Sequence, residues 1–275
     1  MKKITHTLAF AGAAMICSQA LCAPIDLVVD PARSSLDMSI TLDVSIASDT
    51  DNDSSTLSGN IEIELDDAGN PTQISLDDMM VVIDQTMNFN WSFGFFGSAD
   101  ATLTGGSVSY ATPGLATGPV PVDANAFSFP EVLVDLDGQL NANYDIFLAG
   151  SGSEMVNLGD QGSFASPFNG SVLIEGETIT VTSSLPIDVT QPLLDSSGNQ
   201  LGTVIASGSA TIVAVGTAPS CQADLNGDGV LNFFDVSAFL NAFSAMDSAA
   251  DFNNDGVFNF FDVSAFLNAF TGGCP

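Results

Sequence analysis

Asp224, Asn226, Asp228, Asn232 and Asp235 place a side-chain oxygen at positions 1, 3, 5, 9 and 12 of a twelve-residue frame. Val230, at position 7, offers a backbone carbonyl, and Gly229 stands at position 6, where the chain must turn sharply. Further on, Asp251, Asn253, Asp255, Val257, Asn259 and Asp262 repeat the frame with Gly256 at the turn. Six or seven oxygen donors on so short a backbone suit a hard, flexible coordination sphere, so calcium is the expected cofactor, one ion in each of the two loops. Magnesium holds to a stricter octahedron and is disfavoured. Three carboxylates and two amides in each loop leave one excess negative charge once a dication is bound.

Each frame runs into the same apolar segment. The stretch DLNGDGVLNFFDVSAFLNAF (224–243) returns as DFNNDGVFNFFDVSAFLNAF (251–270), with three of twenty residues changed. At about 100° per residue, Val236, Phe239, Leu240 and Phe243 gather on one helix side with Phe233 at its edge. This is the side expected to bury against the second copy. Phe234 points nearly the opposite way, beside Ser237, Ala238 and Asn241, and Phe261 does the same beside Ser264, Ala265 and Asn268. An aromatic side chain on a small, polar face is suited to a docking anchor; the alternative is that Phe234 packs on the β domain, since GTAPSC leaves almost no linker. Phe234, Ser237, Asn241, Phe261, Ser264 and Asn268 are therefore the expected partner-binding set.

With Asp at position 12 and no helix ahead of either loop, residues 221–275 resemble the type I dockerin module, a calcium loop and helix repeated twice. The ending CQADLNGDG…GGCP is similar to that of GC-type dockerin-anchored secreted bacterial proteins. The resemblance implies calcium-dependent folding and docking to a protein partner, a cohesin-like domain or another surface receptor. Dockerins often ride on polysaccharide-degrading enzymes. Phe233-Phe234 and Phe260-Phe261 stand where cohesin-reading dockerins commonly carry Ser-Thr, and the helices hold no base.

The rest of the chain must carry and place this module. Of 275 residues, 33 are acidic and 3 basic, a formal charge of −30. Two of the bases lie in MKK, ahead of the apolar run LAFAGAAMIC and the small residues of SQALCAP, the layout of a secretory signal peptide over residues 1–23. Cleavage after Ala20 uses an S-Q-A match; cleavage after Ala23 puts Pro24 at the scissile bond. Either removes Lys2, Lys3 and His6 and leaves Arg33 as the one base. Such a chain has no imidazole for Ser-His-Asp or Cys-His catalysis and no lysine for a Schiff base, and it repels nucleic acid. Cys221 and Cys274 bracket the repeats, and a secreted chain permits a disulfide between them. Closing that loop contributes about 4 kcal/mol in the chain-entropy estimate, which helps a module with little core.

Between the leader and the module, residues 24–216 alternate with period two. Leu36, Met38, Ile40, Leu42, Val44 and Ile46 fall on one face and Asp37, Ser39, Thr41, Asp43 and Ser45 on the other. Met87, Phe89, Trp91, Phe93 and Phe95 alternate with Asn, Ser and Gly. Further strands are expected at 61–65, 74–83, 101–110, 132–136, 143–148, 171–175, 178–183 and 203–214. Turns are expected at DDAGNP (66–71), EGET (175–178) and DSSGNQ (195–200). The expected fold is mainly β, an antiparallel sandwich or a curved meander or barrel, then a linker at 217–220 and the small all-α pair. One Trp and two Tyr are too few for the aromatic girdles of a transmembrane barrel, so the chain is not expected to be an integral membrane protein.

No catalytic set emerges. SDTDNDSS places Asp49, Asp51 and Asp53 at alternate positions but lacks the later glycine and acid of a calcium loop, and reads as a solvated acidic loop; DLDGQLNAN from Asp135 is similarly incomplete. Glu62, Glu64, Glu131, Glu154, Glu175 and Glu177 could supply a glycosidase pair, but nothing selects two of them. The expected function is a secreted, non-catalytic calcium-binding protein anchored to a surface assembly by its tail. The alternatives are a carboxylate-based polysaccharide-degrading or polysaccharide-binding component, and a lipid or apolar-ligand carrier.

Overall fold

The computed structural model describes residues 24–44, 46–67, 69–147, 150–194, 200–218, 221–227 and 231–273. The leader with Cys22, Ser45, most of the turn at 195–200, and 219–220 of the linker lie outside them.

Among the described residues, twelve strands form one sheet. They are β1 Ile25–Val29, β2 Ser35–Asp43, β3 Ser48–Leu65, β4 Gln73–Ile83, β5 Met87–Ser92, β6 Gly97–Tyr110, β7 Thr117–Pro121, β8 Ala126–Ile146, β9 Gly150–Asn157, β10 Phe164–Glu175, β11 Thr178–Leu194 and β12 Gln200–Thr217. All pairings are antiparallel, and several strands are two pieces of one lane. Both β1 and β2 lie between β3 and β12. Likewise β4 and β5 pair successive stretches of β6, β6 and β7 pair successive stretches of β4, and β9 and β10 pair successive stretches of β8. The sheet is therefore an up-and-down sequence of lanes, β1/β2, β3, β4/β5, β6/β7, β8, β9/β10, β11 and β12, and β12 returns to β2 and β1. The outline is ring-like, and one continuous cluster of apolar side chains fills it.

Alternation sorts the residues. Leu36, Leu42, Leu57, Ile61, Ile63 and Leu65 point inward and are buried, while Asp37, Asp43, Thr50, Asn52 and Ser54 stay exposed. Met87, Phe89, Trp91 and Phe93 are buried as the pattern predicts, and the Trp91 indole N–H donates to the Ile40 carbonyl at 2.8 Å. Phe95 departs from that row: it sits in the turn after β5 and is 90% exposed. Ile46, beyond the end of β2, is likewise exposed. The turn at 66–71 forms where expected, because Asp66 accepts the backbone N–H groups of Thr72 and Gln73 and Asp67 accepts that of Gly69.

Strand lengths need correction. SDTDNDSS is no loop; it opens β3. The segments 132–136 and 143–148 belong to one strand, β8, which ends at Ile146. The expected strand at 178–183 runs on to Leu194 through Pro186 and Pro192. There β11 has left β10, which pairs with it only over Thr178–Ser183, and proline is tolerated at a strand edge that gives up no ladder bond.

After β12 come two helices, α1 Phe233–Ala245 and α2 Phe260–Gly272. Their core is Phe239, Phe252, Phe266, Ala223 and Ala250, with Leu225, Val236, Phe243, Phe258 and Phe270 packed around it. Leu240 and Phe233, expected on the buried side, are 55% and 75% exposed. The buried side is centred on Phe239, and Asp235 rather than Leu240 completes it. A carboxylate can take that place because backbone N–H groups hold it there.

Candidate functional site

The second loop is described throughout. Gly256 has φ +76°, the left-handed turn the frame requires, and Asn254 at position 4 is left-handed too, at φ +56°. Asp251 accepts the N–H groups of Asp255 (3.1 Å) and Gly256 (2.9 Å), and Asp255 accepts that of Val257 at 2.8 Å. Asn253 Nδ2 donates to Asp255, and Asn259 Nδ2 donates to the Val257 carbonyl at 3.0 Å. In the first loop, Asp224 accepts the Gly227 N–H at 2.8 Å, and Gly227 has φ +72° at the matching position 4. Asp228, Gly229 and Val230 lie outside the described residues.

Positions 9 and 12 are the helix starts. Asn232 Oδ1 accepts the Phe234 N–H and Asn259 Oδ1 that of Phe261, each at 2.7 Å. Asp235 and Asp262 reach back to the N–H of Asn232 and Asn259, each at 2.8 Å, which completes a capping box on both helices. The same two carboxylates accept the N–H of Asn226 at 3.3 Å and Asn253 at 3.4 Å, so each ties the helix start to position 3 of its loop. Both are fully buried. At Asp235, burial raises the carboxyl pKa, but the N–H groups of Asn232 and Asn226 outweigh it and the pKa falls. At Asp262, the Asn259 N–H lowers the pKa first and most, against burial and with help from Asn253.

The donor set suits calcium in kind, since the side chains at positions 1, 3, 5, 9 and 12 all offer oxygen and the turn at Gly256 has the required hand. Among the described residues, however, no three acidic, His or Cys side chains gather in one metal-sized group. In the second loop the carboxylates turn to backbone N–H groups instead. The expected Cys221–Cys274 bond rests on Cys274, outside the described residues.

Of the expected partner-binding residues, Phe234, Phe261, Asn241 and Asn268 are exposed and Ser237 and Ser264 half-buried. Phe234 and Phe261 each expose 68% of their surface. The exposed face is wider and more apolar than the sequence suggested. Phe233 and Leu240 flank Ser237 on α1, and Phe260 and Leu267 do so on α2, all of them exposed. The near-identity of the two copies was the signal: a residue the small core cannot take twice must face out twice.

On the ring, the six candidate glutamates do not form a pair in a groove. Glu131, Glu154, Glu175 and Glu177 are exposed on different strands and turns. Glu62 instead lies in a cross-strand row with Asp26 on β1 and Asp78 on β4. Burial raises the Glu62 carboxyl pKa, and Asp26, Asp77 and Asp78 add to the rise. Asp77 stands where the β3–β4 register slips; one carboxylate oxygen is buried without a partner, and burial and then Glu64 raise its pKa.

Asp49, Asp51 and Asp53 form a ladder. Their carboxylates accept the backbone N–H groups of Ser92 (2.7 Å), Asn90 (2.7 Å) and Asn88 (2.6 Å) on β5. Each also accepts the N–H of the residue that follows it. Side chains replace backbone pairing along this seam. A shallow depression of about 390 Å³ lies nearby, lined by Asp37, Ser39, Asn52, Ser54 and Ser207. Asp135, in the other acidic stretch, lies in β8 and accepts the hydroxyl of Ser163, just ahead of β10, at 2.5 Å.

No protein-family profile matches the chain, and no curated protein matches it. Among solved structures, it is similar at 9% identity and a TM-score of 0.25 to Ail, the attachment invasion locus protein of Yersinia pestis, in complex with the heparin analogue sucrose octasulfate. The likeness covers 70% of this chain and 97% of that one, and at this score it carries no argument. Among the described residues, no helix is long and apolar enough to cross a membrane. The ring has apolar residues within and Ser, Thr, Asn and Asp on much of its outer face.

Proposed function

We propose that this is a secreted, non-catalytic protein whose C-terminal pair of loops and helices is a dockerin-like, calcium-binding attachment module carried behind a β-barrel. Asp224, Asn226, Asp228, Val230, Asn232 and Asp235 would hold one ion, and Asp251, Asn253, Asp255, Val257, Asn259 and Asp262 the other. A Cys221–Cys274 disulfide would close the module. The observation that carries the reading is the paired face: two helices, capped alike, each turn Phe-Phe, Ser, Leu and Asn outward at matching positions. Such a face suits a partner, cohesin-like or another surface receptor, with an apolar socket rather than an acidic one.

We read the ring of lanes as a barrel rather than a sandwich, because its lanes follow one another around the sheet and β12 returns to β1 and β2. It serves as a binding or structural body. Its interior is filled by Phe89, Phe129, Leu27, Ile61, Ile74 and their neighbours, which weighs against an apolar-ligand carrier. The scatter of its glutamates weighs against a polysaccharide-degrading enzyme.

Calcium titration of the full chain by calorimetry tests the metal reading. Two ions per chain are expected, falling to one in Asp255→Ala; no heat above the magnesium control overturns it. Phe234→Ser with Phe261→Ser tests the face in the source cell. Calcium stoichiometry should stay at two while surface retention is lost, and unchanged retention overturns the docking role.

A further inference from the structure

We propose that the free edge of β9 is a docking site for an extended, basic peptide segment of a partner protein, which adds to the sheet as one more strand. The proposal rests on the reading of the barrel as a binding body and makes no use of calcium or of the tail.

Strand edges that lack a neighbour invite other chains, and proteins blunt them. This ring blunts its free edges with one exception. On β5, the N–H groups of Asn88, Asn90 and Ser92 are taken by the carboxylates of Asp53, Asp51 and Asp49. At the end of the sheet path, β7 carries Pro119 and Pro121. Where β10 and β11 part, they carry Pro167, Pro186 and Pro192. Only β9, Gly150–Asn157, has neither proline nor a side-chain cap, and among the described residues β8 alone lies beside it.

The ladder shows which groups are open. The Phe147 N–H donates to the Phe96 carbonyl at 2.9 Å, so odd residues of β8 bond to β6 and even ones to β9. Even residues of β9 answer them. The N–H and C=O of Ser151, Ser153, Met155 and Asn157 therefore point away from the sheet, a template for main-chain pairing. Both faces of the strand stay uncovered. Met155 on the outer face is 67% exposed, and Val156, on the inner face opposite Leu140, is 39% exposed. An added strand with an apolar residue at alternate positions would cover Val156 and continue the apolar side of β8.

Charge selects the occupant. Glu154 is exposed on β9, and Asp145 stands opposite Ser151 on β8. The one base among the described residues, Arg33, is paired with Asp30. A second copy would bring another 33 acids against 3 bases to this edge and be repelled. A basic segment is attracted.

The test titrates the full chain, in chelator and in enough salt to screen long-range attraction, with a labelled peptide of alternating Lys and Val, about ten residues long. Anisotropy should report binding, and amide exchange should slow in β9. The same peptide N-methylated at alternate residues keeps its charge but loses one row of N–H groups, and should bind at least about tenfold more weakly. An alternating Glu-Val peptide should not bind. Met155→Pro removes a free N–H and no bond to β8, and should weaken binding similarly at an unchanged melting temperature. If it melts lower, the N-methyl comparison on the unaltered protein decides. Absence of binding, or equal affinity for the N-methylated peptide, overturns the proposal. Protection confined to another strand overturns this site while leaving the barrel a binding body. A dimer whose β9 amides are already protected overturns it in favour of a second copy.

Discussion

Phe239 of α1 and Phe266 of α2 lie face to face, ring centroids 4.2 Å apart and planes 4° from parallel. They are the same residue of the two copies, so the stack marks the approximate two-fold axis of the module. Phe252 meets both edge-on, at 5.7 and 5.3 Å. Both rings are buried in a very small core, so truncation has little neighbouring structure to collapse into. Phe239→Ala or Phe266→Ala should cost the module about 3–5 kcal/mol. Calorimetry of the full chain should show the helical transition lowered or lost and the transition of the β ring unchanged.

The aspartate rungs between β3 and β5 predict a graded series. Asp51 spends one oxygen on the Asn52 N–H and the other on that of Asn90. Asp51→Asn keeps one acceptor oxygen and must give up one bond, and Asp51→Ala gives up both. Each lost bond should cost about 1 kcal/mol. Urea unfolding should order the proteins wild type, Asn, Ala, with the triple Ala variant at Asp49, Asp51 and Asp53 lowest.

Glu62 and Asp77 predict the opposite direction. Their carboxyl pKa values are raised in the fold, so their contribution is full below the unfolded carboxylate pKa and is lost as pH rises through the folded value. At neutral pH it is gone. Glu62→Gln and Asp77→Asn should therefore melt above wild type at neutral pH. The gain should shrink as the solution is acidified; thermal scans across that range measure it.

Asp235 and Asp262 carry lowered values, so their contribution is present above the unfolded carboxylate pKa and lost as pH falls through the folded one. The helical module should lose stability on acidification. Asp262→Asn should flatten that dependence, because an amide does not titrate. Helical circular dichroism against pH, in chelator, reads both effects.

The β class, the paired loops and the helices were legible because alternation and near-exact duplication are strong, local signals. Strand ends were not. Nothing in the sequence marked β11 as running on through Pro186 and Pro192, which are harmless there because, among the described residues, that part of β11 pairs with β12 alone. Asp49, Asp51 and Asp53 read as loop because acids rarely line a strand. Their partners, Asn88, Asn90 and Ser92, are far along the chain, and only the closed sheet brings them together. Leu240 was misplaced for a related reason: helix geometry gave the angle between side chains but not the rotation, which was set by burying Asp235 against backbone N–H groups.

The place of β12 governs how this molecule carries a pull. A load applied at residue 218 enters along the strand axis, and β12 is laddered to β11 from Thr217↔Thr178 to Gln200↔Leu194 and to β1 and β2 on its other side. Such a load must shear these bonds together rather than unzip them one by one. Pulled from that end, the ring resists through the longest ladder it has.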